Sequence, residues 1–511
     1  MTSEKYVGAI DQGTTGTRFM IFDEASNLLS SSYKEHKQFF PKPGYVEHDP
    51  LEIWKNTEYV ISDALNKAKI SFNRLNAIGI TNQRETTVVW NKKTGKPIHN
   101  AIVWQCTRTS DLCEKLRNEN YERLVKERTG LVIATYFSGP KLSWILNNIS
   151  EARTLANKGE ILFGNIDSWI IWNITGGRNG GSHVTDFSNA SRTMLMNLKT
   201  LKWDNDLLDI LKIPIDMLPE IRPSSDPEFY GYMNFNDTKD KIPISGDLGD
   251  QQAALFGQTC FEVGNAKNTY GTGNFLLMNT GNRIVESKTG LLTTVAYGIG
   301  KKSINYALEG SIAIGGAAIQ WLRDQLKIIS SASESEDLAL SVPDNGGVYF
   351  VPAFVGLFSP YWDVSARGII VGLTRGSNRG HIMRAVLESI AFQSYDVFQA
   401  MEKDSGIKLK SLKVDGGASK NNLLMQIQAD LLNIECIRPK IEETTALGAA
   451  YAAGLATNFW NTFKELKEKW EIDCIFTPKL DDNTRRKMIH YWKKAISKSR
   501  GWIEPSFTLD N

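Results

Sequence analysis

The sequence has little cysteine and little histidine. Its 511 residues include five cysteines, an odd number, and six histidines. Neither a CxxC nor an HExxH pattern occurs, which argues against a disulfide framework and against a zinc site. Free thiols are typical of a reducing compartment, so we expect a cytoplasmic protein.

Long apolar runs and an excess of one charge are also missing. The sequence contains no run of about 18 apolar residues, and its first residues lack the apolar segment of a secretion signal, so we expect no membrane insertion. The 59 basic and 57 acidic residues nearly balance. A balanced chain offers no broad positive field for nucleic acid.

The length exceeds what one hydrophobic core usually supports, which predicts two or three domains.

A glycine- and threonine-rich turn lies near the start of the chain. Two apolar runs typical of β-strands, 6–10 and 18–22, flank the residues DQGTTGT at 11–17. Such a turn presents backbone N–H groups and hydroxyls that suit phosphate oxygens. Asp11 can hold Mg²⁺, and Arg18 can contact a phosphate. An ordinary hairpin turn is the alternative at this point.

The same pattern recurs roughly 260 residues later. Residues 265–281 combine a β run, a Gly-Thr-Gly turn at 271–273 and a second β run. Two such hairpins suggest an internal duplication whose halves divide near residues 256–264.

Polar residues between these hairpins are candidates for a site. Arg84 and Glu85 lie in the connection between two predicted strands, although adjacent Arg and Glu also occur on ordinary surfaces. Residues 101–108 read as a strand that ends near Trp104. Asp250 opens a predicted helix, either as an N-cap or as a functional carboxylate. The small residues of 444–456 predict close helix packing in preference to a ligand contact.

Eight motifs together resemble the FGGY carbohydrate kinases. In this chain they read DQGTTGTR, ITNQRETTVVW, IVWQC, GDQQAALFGQ, YGTGNF, EGS…GGAAIQWLRD, VDGGASKNN and TALGAAYAAG. They follow the order and spacing of that family over essentially the whole chain. The resemblance implies an α/β fold with two ribonuclease H-like domains, of the actin and sugar-kinase superfamily, flanking an active-site cleft.

The resemblance also implies an activity and a separate role for each half of the chain. The activity is ATP-dependent phosphorylation of glycerol to sn-glycerol 3-phosphate, with Mg²⁺, by a homodimer or higher homo-oligomer. Residues 1–255 form the N-terminal domain with the polyol site and the catalytic aspartate. Residues 256–511 form the C-terminal domain with the second phosphate hairpin and the adenosine pocket.

Site residues follow from the matching motif positions. The resemblance implies that Asp250 is the general base and that Asp11 serves Mg²⁺. It implies that glycerol is bound by Arg84, Glu85, Trp104, Tyr136, Asp250, Gln251 and Phe275. It implies that ATP is bound by Thr14, Thr15, Gly16, Arg18, Thr272, Gly316, Gln320, Gly417 and Asn421.

Two positions depart from the family pattern. Gly16 stands where many members have serine, so one phosphate hydroxyl is missing and we expect an altered nucleotide contact. Residues 234–243 lack the glycine-rich loop through which some members bind fructose 1,6-bisphosphate, so we do not predict that inhibition.

Other functions stay open from the sequence. An FGGY kinase for another polyol or a pentulose is the nearest alternative, although the motifs QRETT and GDQQAALFGQ favour glycerol. A nucleotide-driven interaction protein of the actin and 70-kDa chaperone type would use the hairpins without a small-alcohol pocket. A catalytically silent sensor is disfavoured because every expected acid is present.

Overall fold

The computed structural model describes residues 4–234, 241–301 and 303–504. Two large mixed β-sheets with packed helices form its framework, and each half of the chain supplies one of them. The prediction about a loop at 234–243 falls mainly outside the described residues. No helix within the described ranges is both long and apolar enough to cross a bilayer.

The first half of the chain forms the first sheet and the helices around it. Its strands are β1 Tyr6–Gln12, β2 Gly16–Phe22, β3 Leu28–Glu35, β4 Glu47–His48, β5 Leu75–Asn82, β6 Val88–Asn91, β7 Ala101–Ile102, β8 Ile161–Gly164, β9 Val184–Asp186, β10 Met196–Asn197, β11 Lys202–Trp203, β12 Glu220–Arg222, β13 Gly231–Asn234 and β14 Lys241–Gly249. Its helices are α1 Pro50–Ala68, α2 Ser110–Asn118, α3 Glu122–Thr129, α4 Ser138–Asn148, α5 Ala152–Asn157, α6 Ile166–Ile174, α7 Phe187–Ala190, α8 Asn205–Leu211 and α9 Asp250–Gly257.

The second half forms the second sheet. Its strands are β15 Asn265–Tyr270, β16 Asn274–Gly281, β17 Leu292–Ile299, β18 Ser303–Ile312, β19 Tyr349–Val351, β20 Ile369–Val371, β21 Ser411–Asp415, β22 Cys436–Pro439 and β23 Ile472–Phe476. Its helices are α10 Gly316–Asp324, α11 Glu334–Leu340, α12 Arg379–Ser405, α13 Asn422–Leu432, α14 Thr444–Ala456, α15 Phe463–Lys469 and α16 Asp482–Ser499.

Both sheets repeat one strand pattern. The first runs β13-β14-β5-β1-β2-β3, and the second runs β17-β18-β16-β15-β21-β22-β23. In the first, β1 pairs antiparallel with β2 and parallel with β5, and β5 pairs parallel with β14. In the second, β15 pairs antiparallel with β16 and parallel with β21, and β21 pairs parallel with β22. Both predicted hairpins are therefore present, and the predicted two-part α/β fold is confirmed.

Helix α14 links the two halves by close packing. A Cβ added to Gly448 would lie 1.9 Å from the carbonyl oxygen of Ala253 in α9, and one added to Gly79 in β5 would lie 2.0 Å from that of Ala449. Only residues without a Cβ permit backbones to approach so closely. The predicted close packing of this small-residue helix is confirmed. Although α14 belongs to the second half of the chain, it packs on the first sheet, and a division at 255/256 stays a prediction.

One predicted strand is mostly wrong. Residues 101–108 contain only the short strand β7, and Trp104 lies in the turn that follows it. The backbone N–H of Trp104 donates to Oγ1 of Thr86 at 3.2 Å, so this residue bonds to a side chain instead of a neighbouring strand. The chain then continues into the two short helices α2 and α3.

Candidate active site

The site lies where three parallel strands of the first sheet end together. Gln12 of β1 pairs with Asn82 of β5, which pairs with Gly249 of β14. The next residues of the chain leave the sheet at one edge and carry Arg84, Glu85 and Asp250. In α/β sheets, ligands bind outside the carboxyl ends of such strands.

A small pocket opens at this edge. It has a volume of about 110 Å³ and is lined by Thr14, Arg84, Glu85, Trp104, Tyr136, Asp250, Gln251 and Phe275. All seven side chains predicted to bind the polyol line this pocket. The eighth lining residue, Thr14, belongs to the turn predicted to bind phosphate. The volume lies well below the roughly 300–1,000 Å³ of drug-sized sites. The geometry thus suits a small substrate, while the role of each residue stays a prediction.

Arg84 is the centre of the pocket's charged groups. It is only 2% exposed, and its Nε lies 3.2 Å from Oδ1 of Asp250. Its Nη1 and Nη2 donate to the two oxygens of Glu309 at 2.7 and 3.0 Å. Glu85, in the adjacent position, has a positive φ of 60°, a conformation that costs free energy for a side chain with a Cβ. The strained turn directs both residues inward from one short connection.

Three residues that the sequence interpretation missed complete this cluster. Arg192, Lys267 and Glu309 are all fully buried. Arg192 Nε donates to Oε1 of Glu85 at 2.6 Å, and Lys267 Nζ donates to Oε1 of Gln251 and to Oγ1 of Thr269 at 2.9 Å. Glu309 and Lys267 lie inside or next to the quoted motifs EGS and YGTGNF. A lysine within the predicted β run at 265–270 is a signal that could have found Lys267, and the quoted motif EGS contains Glu309.

Asp250 is half-exposed to the pocket, with 31% of its side chain accessible. Burial raises its pKa, and the charges of Arg84 and Lys267 partly oppose that shift. Of the two alternatives for Asp250, the N-cap is wrong by one position, because Gly249 is the N-cap and Asp250 is the first residue of α9. Its carboxylate still accepts from the backbone N–H of Gln251 at 2.7 Å. The helix N-terminus therefore helps to hold a negative charge there.

Aromatic rings close the other side of the pocket. Trp104 lies 5.6 Å from Tyr136 and 6.5 Å from Phe275 between ring centroids, both edge to face. The indole N–H of Trp104 donates to Oγ1 of Thr14 at 3.0 Å. Burial raises the pKa of Tyr136 above its ordinary value, so its hydroxyl stays protonated. One wall of the pocket is thus apolar, and Trp104 in this wall connects the pocket to the first hairpin.

The first hairpin has the predicted form. Asp11 pairs with Arg18 across the two strands, and the N–H of Gly13 donates to the carbonyl of Gly16 at 2.9 Å. Desolvation raises the pKa of Asp11 to about 7, and Arg18 opposes this shift. Arg18 also forms an ion pair with Glu443 just before α14. Thr15 of the same turn is exposed, and its hydroxyl lies 3.3 Å from that of Tyr33.

Gly16 has a packing reason in this chain. A Cβ at this position would lie 2.7 Å from the carbonyl oxygen of Lys34 and equally close to the ring of Tyr33. Real Cβ atoms essentially never come so near. A serine here would require β3 to shift, so glycine is the residue that fits beside Tyr33.

The second hairpin contacts two glycine-containing loops. The N–H groups of Gly315 and Ala317 donate to the carbonyl of Thr272 at 2.9 and 3.1 Å, and that of Gly316 donates to Gly271 at 2.9 Å. A Cβ on Gly416 would lie 2.6 Å from the carbonyl oxygen of Tyr270. Gly316 and Gly417 therefore lie at the same turn as Thr272.

Two other predicted nucleotide residues are Gln320, within α10, and Asn421, the N-cap of α13. Gln320 is exposed on α10. The side chain of Asn421 caps α13 by accepting from the N–H of Leu424 at 2.8 Å, and its Nδ2 donates to Ser335. Asn421 thus has a structural role already, and nucleotide binding by this residue and Gln320 stays a prediction.

Mg²⁺ fits the site as an ion carried by phosphates. Within the described ranges no group of three or more His, Cys, Asp or Glu side chains could hold a metal ion unaided. Mg²⁺ is usually bound through one or two carboxylates together with substrate phosphates and water. The carboxylate of Asp11, beside the turn of the first hairpin, fits that requirement.

Comparison with known proteins identifies the family. The model of the FGGY family of carbohydrate kinases, N-terminal domain, matches residues 6–257, and the model of its C-terminal domain matches residues 266–457. The chain belongs to the FGGY family of carbohydrate kinases. The resemblance described from the motifs is thereby confirmed.

Individual relatives are similar over nearly the whole chain. The glycerol kinase of Caldanaerobacter subterraneus subsp. tengcongensis is 58% identical, covering 98% of this chain and 99% of that protein. Glycerol kinase 2 of Thermotoga maritima is 57% identical, with the same coverage of both chains. The crystal structure of Plasmodium falciparum glycerol kinase with ADP superimposes with a TM-score of 0.91 at 38% identity, covering 97% of this chain and 98% of that one.

Proposed function

We propose that the protein is a glycerol kinase, which transfers the γ-phosphoryl group of ATP to a terminal hydroxyl of glycerol and produces sn-glycerol 3-phosphate. The small pocket beside the first hairpin is the observation that carries this proposal. The glycerol kinases that are 57–58% identical to this chain support it.

The pocket offers both kinds of hydrogen-bonding group that a polyol needs. A hydroxyl donates one hydrogen bond and accepts others. Glu85 and Asp250 supply acceptors, while Arg84, Tyr136 and Gln251 supply donors. Lys267 can only donate, so its bond to Oε1 of Gln251 leaves the amide N–H₂ of Gln251 for a substrate oxygen. Trp104 and Phe275 pack on the carbon edge of the substrate.

Asp250 is the general base in this proposal. Its carboxylate accepts the hydrogen bond of the attacking hydroxyl and takes the proton as the bond to phosphorus forms. In a loose phosphoryl-transfer transition state the proton leaves late, so positioning and charge neutralisation supply most of the rate. The raised pKa of Asp250 makes it a stronger proton acceptor than an exposed aspartate.

The two hairpins hold the nucleotide phosphates. Thr14, Thr15, Gly16 and Arg18 contact them from the first sheet, and Thr272 contacts them from the second. Gly316, Gln320, Gly417 and Asn421 line the path of the ribose and adenine. Asp11 would help to hold Mg²⁺ together with the nucleotide phosphates, and the ion would supply charge neutralisation there. The close contact of Gly316 and Gly416 with the second hairpin supports this arrangement.

Three further features belong to the same proposal. The division at residues 255/256 is supported by the separate sheets of the two halves. A homodimer or higher homo-oligomer is supported by exposed apolar side chains near one loop, with Val364 83% and Val355 58% exposed. A cytoplasmic location is supported by the five free cysteines.

A substrate panel tests the function. Purified protein is incubated with MgATP and glycerol, erythritol, ribitol, xylulose or ribulose, and ADP release is followed with a coupled enzyme assay. We expect a kcat/KM for glycerol at least about 100-fold above that for any other compound, because a wrong substrate leaves buried polar groups unpaired. A preference for xylulose would refute glycerol as the substrate. Slow ATPase activity that no alcohol stimulates would refute the proposal that the protein is a kinase.

A further inference from the structure

Glu309 lies behind the pocket and belongs to the other sheet. It is in the middle of β18, is fully buried, and does not line the pocket itself. Its two carboxylate oxygens nevertheless accept from both terminal nitrogens of Arg84, at 2.7 and 3.0 Å. A bidentate bond of this kind fixes the plane of a guanidinium group as well as its position. The second sheet therefore sets the orientation of a side chain that the first sheet carries.

The same carboxylate reaches Glu85 through Arg192. Nη2 of Arg192 donates to Oε1 of Glu309 at 3.1 Å, and Nε of Arg192 donates to Oε1 of Glu85 at 2.6 Å. The guanidinium of Arg192 also lies 5.6 Å above the ring of Tyr136. Glu309 thus holds Arg84 directly and Glu85 through one intermediate residue.

The donors of Arg84 are almost all occupied. Nη1 bonds to Glu309 and, at 3.2 Å, to Oε1 of Gln252, while Nε faces Asp250 at 3.2 Å. Nη2 bonds to Glu309 and has only a long contact of 3.5 Å with the hydroxyl of Tyr136. One N–H of Nη2 is consequently available for a substrate oxygen, and the positive charge behind it is already compensated.

Charges around the pocket balance when Glu309 is included. Arg84, Arg192 and Lys267 are positive, and Glu85, Asp250 and Glu309 are negative. Next to them lie one further group of each sign, Lys141 at the backbone of Tyr136 and Asp415 near Lys267. Buried charges persist only when they are paired in this way. A balanced cluster suits a neutral ligand, whereas a surplus of positive charge would favour an anion.

We propose that Glu309 is a positioning residue that determines specificity: it orients Arg84 and Glu85 toward a neutral polyol and cancels the positive charge that would otherwise admit a carboxylate-bearing analogue. The inference rests on the proposed function, since it takes glycerol as the substrate. It also makes the polyol site depend on the second sheet, which contributes Glu309 from behind.

Two variants separate orientation from charge. Glu309→Gln keeps the size of the side chain and removes its charge, so we expect the KM for glycerol to rise about 100-fold. We also expect glycerate, in which a carboxylate replaces one hydroxymethyl group, to inhibit this variant at least about tenfold more strongly than the parent. Glu309→Asp keeps the charge but withdraws the carboxylate from Arg84 by one methylene group, so the two hydrogen bonds lengthen and the KM for glycerol rises without a gain in glycerate inhibition.

Glu388→Gln is the matched control. Glu388 is also a buried glutamate bonded to an arginine, with Arg384 Nε at 2.9 Å and Asn345 Nδ2 at 2.7 Å, but it lies on α12 and not at the pocket. We expect this control to keep the parental KM for glycerol and the parental response to glycerate. Binding of MgATP and the thermal unfolding midpoint show whether each variant is folded.

The outcomes distinguish this inference from the proposed function. A folded Glu309→Gln variant with the parental KM for glycerol, or with unchanged glycerate inhibition, would overturn the role of Glu309. If Glu309→Gln does not fold, an unchanged KM in Glu309→Asp would overturn it equally. Absence of glycerol phosphorylation by the parent protein would instead refute the proposed function.

Discussion

Replacing Asp250 with asparagine tests the proposed chemistry most directly. In the parent, Oδ1 of Asp250 lies 3.2 Å from Arg84 Nε and accepts from the N–H of Gln251 at 2.7 Å. The substitution keeps the shape of the side chain and an oxygen that can accept from both groups. It removes the negative charge and the capacity to take a proton. Pocket shape and the start of α9 should therefore persist while the reaction loses its base.

The expected magnitude follows from the role of the carboxylate. A positioned general base contributes about 10²–10⁴ in rate. Loss of the charge also leaves Arg84 with one negatively charged neighbour fewer, which weakens glycerol binding by a smaller factor. We expect kcat to fall by about 10³ and the KM for glycerol to rise by less than about tenfold. MgATP affinity should stay within about twofold, because the proposed nucleotide contacts lie on the hairpins.

The assay is ADP release coupled to NADH oxidation, with MgATP binding measured separately by calorimetry. Asp63→Asn is a matched control, because Asp63 of α1 pairs with Lys67 and accepts from Ser32 of β3, does not line the pocket, and should not affect kcat. A kcat within tenfold of the parent in a folded Asp250→Asn variant would remove Asp250 from the role of base. A loss of MgATP binding would show instead that the variant disturbs the nucleotide site.

Three further predictions concern binding and stability. Arg84→Lys should raise the KM for glycerol by about 10- to 100-fold, because lysine cannot bond to both oxygens of Glu309; an unchanged KM would place Arg84 outside the polyol site. Gly448→Ala should lower the free energy of unfolding in urea by about 1–3 kcal/mol, since its Cβ would lie 1.9 Å from Ala253; exposed Gly376→Ala is the control, and equal values would contradict the close packing. Burial raises the pKa of Asp396 to about 6 from 3.8. The unfolded chain ionises this group at a lower pH than the folded chain does, so the free energy of unfolding falls as pH rises from 3.8 to about 6. Asp396→Asn should therefore be more stable than the parent by about 2–3 kcal/mol at pH 7, with the gain lost as pH falls to 3.8; urea unfolding at both pH values checks this.

Local patterns made much of the fold predictable. Alternating apolar runs and a Gly-Thr turn specify a hairpin from adjacent residues, so both hairpins could be read from the sequence. Small residues at 444–456 indicated close packing because composition limits how near two backbones can come. The partner of that helix, the first sheet, could not be predicted, since it depends on contacts between residues far apart in sequence.

The site residues likewise include some that could be predicted from the sequence and some that could not. Motif positions brought Arg84, Tyr136, Asp250 and their neighbours together in advance, and all of them line one pocket. Arg192 and Glu309 were missed because neither lines the pocket, and each bonds instead to a side chain that does. The strand at 101–108 was overestimated because apolar residues beside a turn can be buried by a loop as well as by a sheet.

The position of α14 has a consequence for synthesis of the protein on the ribosome. The helix that covers one face of the first sheet, against Gly79 and Gly246, is translated about 200 residues after β14 is complete. Until then the nascent chain carries a finished set of strands with an apolar surface open to water and to other chains. Fragments that end before residue 444 should thus aggregate or recruit chaperones, and the N-terminal half is not expected to be obtained as a stable separate domain.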